Sequence, residues 1–182
     1  DNYEGSITVG GTEMRLLDKE LLYQTVSSIS QSNFIFDGTI LDNIIMFGDK
    51  EYSDLDLILE QSGLSKVIKE KGLDYTCGEN GIGLSGGEKQ RIGIARCLLI
   101  HNPILIMDEG TSALDMETAF SVESEILDLK DLTKIVISHR LSETLLKKYD
   151  EIIVLNEGSI VEKGTYDQLM KSKGALFYML MK

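Results

Sequence analysis

The sequence has few cysteines, no excess of basic residues and no long apolar run, and each of these absences excludes a class of protein. Its two cysteines, Cys77 and Cys97, have neither the spacing of a zinc site nor that of a disulfide framework, so we expect two free thiols. The net charge of −12 argues against a nucleic-acid-binding surface, which requires clustered Lys and Arg. The most apolar stretch, at 175–181, is far too short to cross a bilayer, and no signal peptide is visible. We therefore expect a soluble, cytosolic chain.

The sequence also lacks the loop G-x-x-x-x-G-K-[ST], with which many nucleotide-hydrolysing enzymes hold phosphates. The nearest string is GSIVEKGT (158–165), where Lys163 and Gly164 stand in the wrong order. Its interior reads as a β-strand rather than as a loop that wraps a phosphate. We therefore do not assign a phosphate-binding loop to this string.

Apolar runs that alternate with helical patterns predict a mainly parallel α/β fold. The runs at 104–107 and 134–138 are continuous, as expected for strands buried on both faces. Further strands are predicted at 5–9 and 25–30, and a hairpin at 151–155 and 159–163. Between Gln31 and the strand at 104–107 the pattern is all-helical, with helices that begin at Ser53, Ser65 and Ser85 as N-caps. Other helices are predicted at 19–24, at 116–129, from Ser142, after Thr165 with Gln168 as a capping box, and at the C-terminus.

The stretch GLSGGEKQRIGIARC (83–97) is suited to binding a phosphate. Ser85 and Glu88 form a capping box at the start of a helix. A capping box does not need the two glycines, Gly86 and Gly87, which cost conformational entropy on folding. Bare backbone at a helix N-terminus allows an anion to approach unpaired N–H groups and the positive end of the helix dipole.

Polar residues follow three of the predicted strands, and ligands of parallel sheets bind at this edge. Asp108 is a candidate magnesium ligand, directly or through water, and Glu109 a candidate general base that orients an attacking water. Gln31 is either a neutral oxygen ligand of the metal or an ordinary exposed amide. His139 is either a contact to the transferred phosphate or a structural histidine. Acidic pairs such as Asp108–Glu109 are otherwise often solvated turns.

Taken together, these motifs resemble the nucleotide-binding domain of an ABC transporter over nearly the whole chain. LSGGEKQR (84–91) is similar to the signature motif of that family, ILIMDE (104–109) to its Walker B motif and SALD (112–115) to its D-loop. Gln31 lies where the glutamine of the Q-loop is expected, and His139 where the switch histidine is. Three stretches resemble the exporter type: FIFDGTILDNI (34–44), TCGENG (76–81) with Glu79 at the acidic position, and SHRLS (138–142).

The resemblance implies a P-loop NTPase core of the RecA-like kind with an inserted helical signature subdomain. Residues 1–36 and 101–182 would form part of the core, and residues 37–100 the helical subdomain. In the family, the Walker A motif and the first strands lie upstream of the segment that begins here. We therefore expect this chain alone to be poorly stable and not to turn over ATP.

The function implied by the resemblance is ATP binding and hydrolysis in an exporter, in a head-to-tail dimer with a second, identical or different, nucleotide-binding domain. The γ-phosphate of ATP bound to the opposite subunit would be held by Ser85, Gly86 and Gly87. Gln31, Glu88 and Asp115 are also assigned to nucleotide binding, Glu109 and His139 to catalysis, and Gln31 and Asp108 to Mg²⁺. Coupling helices of a transmembrane domain would contact the region Gln31–Asn43 and Glu79, at the cytoplasmic face of the membrane.

Two other functions remain open at this point. One is a soluble ABC-type ATPase that acts on DNA or ribosomes, although the long coiled coils and basic linkers of such proteins are missing here. The other is a non-catalytic chain that completes the ATP site of a partner. Phe34 and Phe36 either pack against a coupling helix or are simply buried.

Overall fold

The computed structural model describes residues 3–30, 33–46 and 53–181. Strands and helices alternate along these ranges. The strands are β1 (Thr8–Val9), β2 (Thr12–Glu13), β3 (Val26–Ile29), β4 (Ile104–Asp108), β5 (Thr133–Ile137), β6 (Ile152–Asn156) and β7 (Ser159–Gly164). The helices are α1 (Lys19–Thr25), α2 (Ile40–Ile45), α3 (Leu55–Gln61), α4 (Ser65–Lys71), α5 (Gly86–Ile100), α6 (Met116–Asp128), α7 (Glu143–Leu146), α8 (Tyr166–Ser172) and α9 (Ala175–Leu180), with 3₁₀ turns at Met14–Leu16 and Glu79–Gly81.

A parallel sheet of strand order β3-β4-β5 lies at the centre of the fold. The connections between its strands contain helices, which is how parallel neighbours are joined. Asp108, the last residue of β4, is paired with Ile137, the last residue of β5. The carboxyl ends of these two strands are therefore side by side, and the predicted mainly parallel α/β class is confirmed.

One face of this sheet is less covered than the sequence predicts. Ile135 and Ile137 of β5 are 50% and 49% exposed, whereas Leu105 and Met107 of β4 are 2% and 1% exposed. Successive side chains of a strand point to opposite faces, and β5 is an edge strand in the described part of the chain. The prediction that the strand at 134–138 is buried on both faces is therefore wrong.

The segment between β3 and β4 is helical, as predicted, and α5 is its longest helix. α5 lies against β3, α2 and α3, and Ile92, Ile94 and Ala95 on it are fully buried. They belong to a buried cluster that also contains Ile29 of β3 and Leu105 of β4. The boundaries proposed for the helical subdomain stay predictions, because this cluster extends across both parts.

Capping boxes begin three of the helices. The predicted boxes of Ser85 with Glu88 at α5 and of Thr165 with Gln168 at α8 are confirmed. A third box, Thr39 with Asp42, begins α2 and was not predicted from the sequence. In each box the hydroxyl accepts an amide hydrogen bond and the side chain three residues later accepts one in return, so two end groups of the helix are satisfied.

Two other predicted caps are wrong. The N-cap of α3 is Asp54 rather than Ser53, and its carboxylate makes no capping bond but lies 2.8 Å from Nε2 of His101. Ser65 is the first helical residue of α4, because the preceding Leu64 already has right-handed helical dihedrals. Leu64 is fully buried, so a core residue occupies the position where a polar cap was expected.

The C-terminal residues form a second buried cluster. The predicted hairpin is confirmed, since β6 and β7 pair antiparallel. α8 and α9 pack beside it around Val154, Leu169 and Leu176. The N–H of Leu176 donates to Oε2 of Glu162 at 2.9 Å, which fixes the start of α9 on β7 and confirms a docked terminal helix.

The two cysteines are free thiols, as predicted. Cys77 is fully buried. Burial raises the pKa of the Cys97 thiol to about 11, so this thiol is protonated at neutral pH. A protonated thiol is a poor nucleophile and a poor metal ligand, so Cys97 has neither role in this state.

Candidate functional site

Glu109 and His139 meet where β4 and β5 end. Nε2 of His139 lies 3.0 Å from Oε1 of Glu109. The His139 side chain is 85% exposed and that of Glu109 is 32% exposed, so both are open to a ligand from solvent. The structure thus brings together two of the residues predicted at the ends of strands, and their roles stay predictions.

Glu109 has a left-handed backbone, with φ of +51°. Such a conformation is uncommon for a residue other than glycine and persists where the surroundings enforce it. Here the N–H of Glu109 donates to the carbonyl of Ile137 at 3.0 Å, and the N–H of Ser112 donates to the carbonyl of Glu109 at 2.9 Å. The sequence carries no signal for this conformation, because no glycine or asparagine occupies the position.

Asp108 is exposed at the end of β4, next to Glu109. Its suggested companion in a metal site, Gln31, lies outside the described residues. Within the described residues, no group of three or more Asp, Glu, His or Cys side chains is arranged to hold a metal ion. One carboxylate nevertheless fits Mg²⁺ bound to a nucleotide, because this ion takes one or two carboxylates and completes its shell with phosphate oxygens and water.

The start of α5 presents backbone amides to solvent. Ser85 is extended, accepts the N–H of Glu88 at 3.2 Å with its hydroxyl, and donates its own N–H to Oε2 of Glu88 at 2.6 Å. Gly86 and Gly87 occupy the first turn, where the helix offers no carbonyl partner for an N–H group. Ser85 and Gly86 are exposed. The first turn of α5 thus has free amides as the sequence predicts, and anion binding by the two glycines stays a prediction.

Glu88 is held in the capping box by a second partner. Nζ of Lys71 lies 3.0 Å from Oε1 of Glu88. Burial would raise the pKa of Glu88, but the hydrogen bonds from Ser85 and Lys71 outweigh it and keep the pKa below its ordinary value. Glu88 is thus an ionised structural acceptor in this structure, and its predicted contact with a nucleotide stays a prediction.

Gly87 also has a packing role that the sequence did not indicate. A Cβ atom at this position would lie 3.1 Å from the carbonyl oxygen of Ala113. Residues 112–115, here called the D-loop segment, therefore pack directly on the start of α5. The glycine permits this close approach as well as access for an anion.

Asp115 ends the D-loop segment as the N-cap of α6. Its carboxylate accepts the N–H of Thr118 at 3.0 Å. Hydrogen bonds from Thr118 lower the pKa of Asp115. The structure thus gives this exposed residue a capping role, and its predicted contact with a nucleotide is untested.

The two regions expected to face a transmembrane partner lie together. The N–H of Cys77 donates to the carbonyl of Gly38 at 2.8 Å, and Thr39 and Thr76 form an antiparallel bridge. Phe34 is 62% exposed, so the alternative that it is simply buried is wrong. Glu79 is also exposed, in the 3₁₀ turn that follows.

A buried carboxyl group that accepts a hydrogen bond from Thr111, close to Glu109 in the chain, was not predicted from the sequence. Glu123 of α6 is 5% exposed, and the hydroxyl of Tyr149 donates to its Oε1 at 2.9 Å. Burial raises the pKa of Glu123, although hydrogen bonds from Tyr149 and Thr111 and the charge of Arg140 act against it. An isolated helical Glu gives no sequence signal for burial, because its neighbours come from distant parts of the chain.

We expect Glu123→Gln to stabilise the protein at neutral pH. A carboxyl group whose pKa is higher in the folded than in the unfolded protein stabilises the fold at pH values below its unfolded pKa. This stabilisation is lost as the pH rises through its folded pKa. Glutamine still accepts the Tyr149 hydrogen bond but never ionises. Between about pH 4 and pH 8, the thermal unfolding midpoint of Glu123→Gln should therefore exceed that of the wild type by a difference that increases with pH. The exposed control Glu117→Gln should show no such increase, and an equal gain for both variants would contradict the prediction.

Comparisons with known proteins show to which family the chain belongs. The sequence profile described as ABC transporter matches residues 1–112. The chain belongs to the ABC transporter family. It is 36% identical over 179 residues to the transport/processing ATP-binding protein ComA of Streptococcus pneumoniae, and 40% identical over 177 residues to the ATP-dependent lipid A-core flippase of Escherichia coli. A solved structure of a bacterial Atm1-family ABC exporter with ATP bound matches the whole chain with a TM-score of 0.89 and 32% identity.

These relatives are longer than the chain. The ABC transporter chain described here spans 24% of ComA, 30% of the flippase and 32% of the Atm1-family exporter chain, while 94% or more of its own residues are matched. Among its described residues, no helix is long and apolar enough to cross a bilayer. The chain is thus an ABC nucleotide-binding domain of the exporter type, as the resemblance implied.

Proposed function

We propose that the chain is the part of an ABC exporter that binds and hydrolyses ATP, in a head-to-tail dimer with a second nucleotide-binding domain. The observation that carries the proposal is the Glu109–His139 pair, 3.0 Å apart at the ends of two parallel strands, with Asp108 beside it. This is the edge of a parallel sheet at which ligands bind. A general base and a phosphate contact are thereby available at one place.

In the proposed mechanism, Glu109 accepts a proton from the water that attacks the γ-phosphate. Its carboxylate is 32% exposed, so a water has access to it. His139 lies within hydrogen-bond distance of that carboxylate and orients it, and its exposed imidazole is available to the phosphate. Asp108 and Gln31 would hold Mg²⁺, which supplies positive charge to the phosphates when bound.

The start of α5 supplies the second half of a site in this proposal. Ser85 and Gly86 are exposed and Gly87 is half-buried, so an ATP molecule carried by another subunit can reach this end of the helix. The amide groups and the helix dipole stabilise the negative charge of its γ-phosphate. Each ATP would then lie between two domains, which is why the proposal requires a dimer.

The transmembrane partner in this proposal binds the surface formed by residues 33–43 and Glu79. Phe34 offers an exposed aromatic ring there, and Glu79 an exposed charge. The domain would therefore lie at the cytoplasmic face of the membrane as a peripheral part of the exporter. The alternative of a soluble ABC-type ATPase that acts on DNA or ribosomes is not supported by the relatives described above. Their names refer to transport, lipid flipping and export.

The proposal is tested by purifying the full-length protein with its membrane partner and measuring phosphate release from ATP with and without Mg²⁺. We expect Mg²⁺-dependent hydrolysis, and ATP-dependent association of two nucleotide-binding domains seen by mass photometry. Absence of hydrolysis above that of a preparation without the protein would overturn the catalytic function. Hydrolysis by a single, unassociated domain would overturn the dimer.

A further inference from the structure

Gln90 of α5 is a buried polar residue that connects the helix to the D-loop segment. Its side chain is 1% exposed. Its Nε2 donates to the carbonyl of Glu109 at 3.3 Å, and its Oε1 accepts the N–H of Ala113 at 2.8 Å. The side-chain amide of Gln90 uses both its donor and its acceptor on one stretch of backbone. This fixes the stretch, because breaking either hydrogen bond leaves a buried polar group without a partner.

The carbonyl of Glu109, one of the two backbone groups bound by Gln90, also closes the turn that carries Glu109. The N–H of Ser112 donates to the same Glu109 carbonyl at 2.9 Å, and the N–H of Leu114 donates to the carbonyl of Thr111 at 3.1 Å. Glu109 has its left-handed conformation within this turn. Gln90, which lies on α5, thus binds this turn at both of its ends, Glu109 and Ala113.

Arg140 holds the D-loop segment from another direction. Its Nη2 donates to the carbonyls of Ser112 and Leu114 at 3.0 and 3.1 Å. Arg140 directly follows His139, whose imidazole contacts the Glu109 carboxylate. The segment is therefore fixed on one side to α5 and on the other to the turn that carries His139.

We propose that Gln90 is a positioning residue for ATP hydrolysis, an inference that rests on the function proposed above. Its hydrogen bonds fix the backbone of Glu109, and through it the direction of the carboxylate toward the attacking water. Gln90 lies on the same helix as Ser85 and Gly87, so one side chain connects the phosphate-binding end of α5 to the general base. Arg140 supports the same turn.

The test is Gln90→Met in the full-length protein, with ATP hydrolysis measured over a range of ATP concentrations. Methionine has a similar length but offers neither the N–H donor nor the oxygen acceptor. We expect kcat to fall by about ten- to a hundredfold, because small displacements of a catalytic group have effects of this size. KM should change by less than about twofold, because Gln90 is not placed against the nucleotide. Gln90→Asn keeps an uncharged amide but is one methylene too short to reach both Glu109 and Ala113, so its kcat should be intermediate.

Hydrogen exchange of the residue 109–116 peptide gives a second readout that does not depend on activity. We expect the Ala113 amide to exchange faster in Gln90→Met than in the wild type. The matched control is Ile94→Val, which removes a methyl group from a fully buried side chain of the same helix. This control should keep both kcat and the Ala113 exchange rate close to the wild-type values.

The outcomes separate this inference from the proposed function. A wild-type protein without ATP hydrolysis would overturn the proposed function, and the positioning role with it. An active wild type, together with a Gln90→Met protein of unchanged kcat, would overturn the positioning role alone. Should Gln90→Met fail to fold, Gln90→Asn carries the same test, and a wild-type kcat in that variant would also contradict the inference.

Discussion

Replacing Glu109 by glutamine is expected to lower ATP hydrolysis by the full-length protein by about a hundredfold or more, the size of a general-base contribution. Glutamine has nearly the same shape, and its amide oxygen still accepts a hydrogen bond from His139, which lies 3.0 Å from the carboxylate in the wild type. It does not accept a proton from water at neutral pH. We therefore expect the chemical step to be lost while ATP binding is retained.

The measurement for Glu109→Gln is phosphate release at saturating ATP, with ATP binding followed separately by a fluorescent analogue. Glu117→Gln is the matched control, because Glu117 is exposed in the first turn of α6 and is not among the residues predicted to bind or hydrolyse ATP. The control should keep the wild-type rate. A Glu109→Gln rate within about tenfold of the wild type would show that another group activates the water.

Replacing Arg96 by methionine is expected to loosen the surface proposed to face the membrane partner. The guanidinium of Arg96, on α5, donates to the carbonyls of Phe34 and Asn43 and to Oδ1 of Asn43. Asn43 is fully buried, and its Oδ1 also accepts the N–H of Phe36 at 2.8 Å. Methionine leaves these acceptors without their charged donor, so local opening of the segment should become easier by about 2–3 kcal/mol.

Hydrogen exchange at the Phe36 amide measures this change directly. An opening free energy lower by about 2–3 kcal/mol corresponds to exchange that is roughly 30 to 150 times faster. Lys69→Met is the control, because it removes an exposed cation of α4 that makes no such contacts with this segment. Unchanged exchange at Phe36 in Arg96→Met would show that Asn43 alone holds the segment.

Features set by local sequence were predictable. The strand at 104–107 is a continuous apolar run, and the capping box of Ser85 with Glu88 depends on residues three positions apart. The meeting of Glu109 with His139 follows from parallel strands with polar residues at their ends. Each of these predictions needs only a short stretch of chain, or a topology that the alternation of strands and helices already implies.

Features set by distant neighbours were not predictable. The cap expected at Ser65 failed because Leu64 is held by the core. The hydrogen-bond partners of Gln90 and Glu123 lie 12 or more positions away along the chain. The exposure of β5 depends on what packs against the sheet rather than on its own apolar residues.

The pairing of residues 38–41 with residues 73–77 has a mechanical consequence. Backbone hydrogen bonds join these segments at Gly38, Ile40 and Leu41. Nζ of Lys89 donates to the carbonyl of Asn80 at 2.8 Å, which adds a link from the next turn to α5. A force applied to either segment is therefore shared by both and passes to the long helix. In the proposed exporter, a displacement of the membrane partner would move α5 through these bonds.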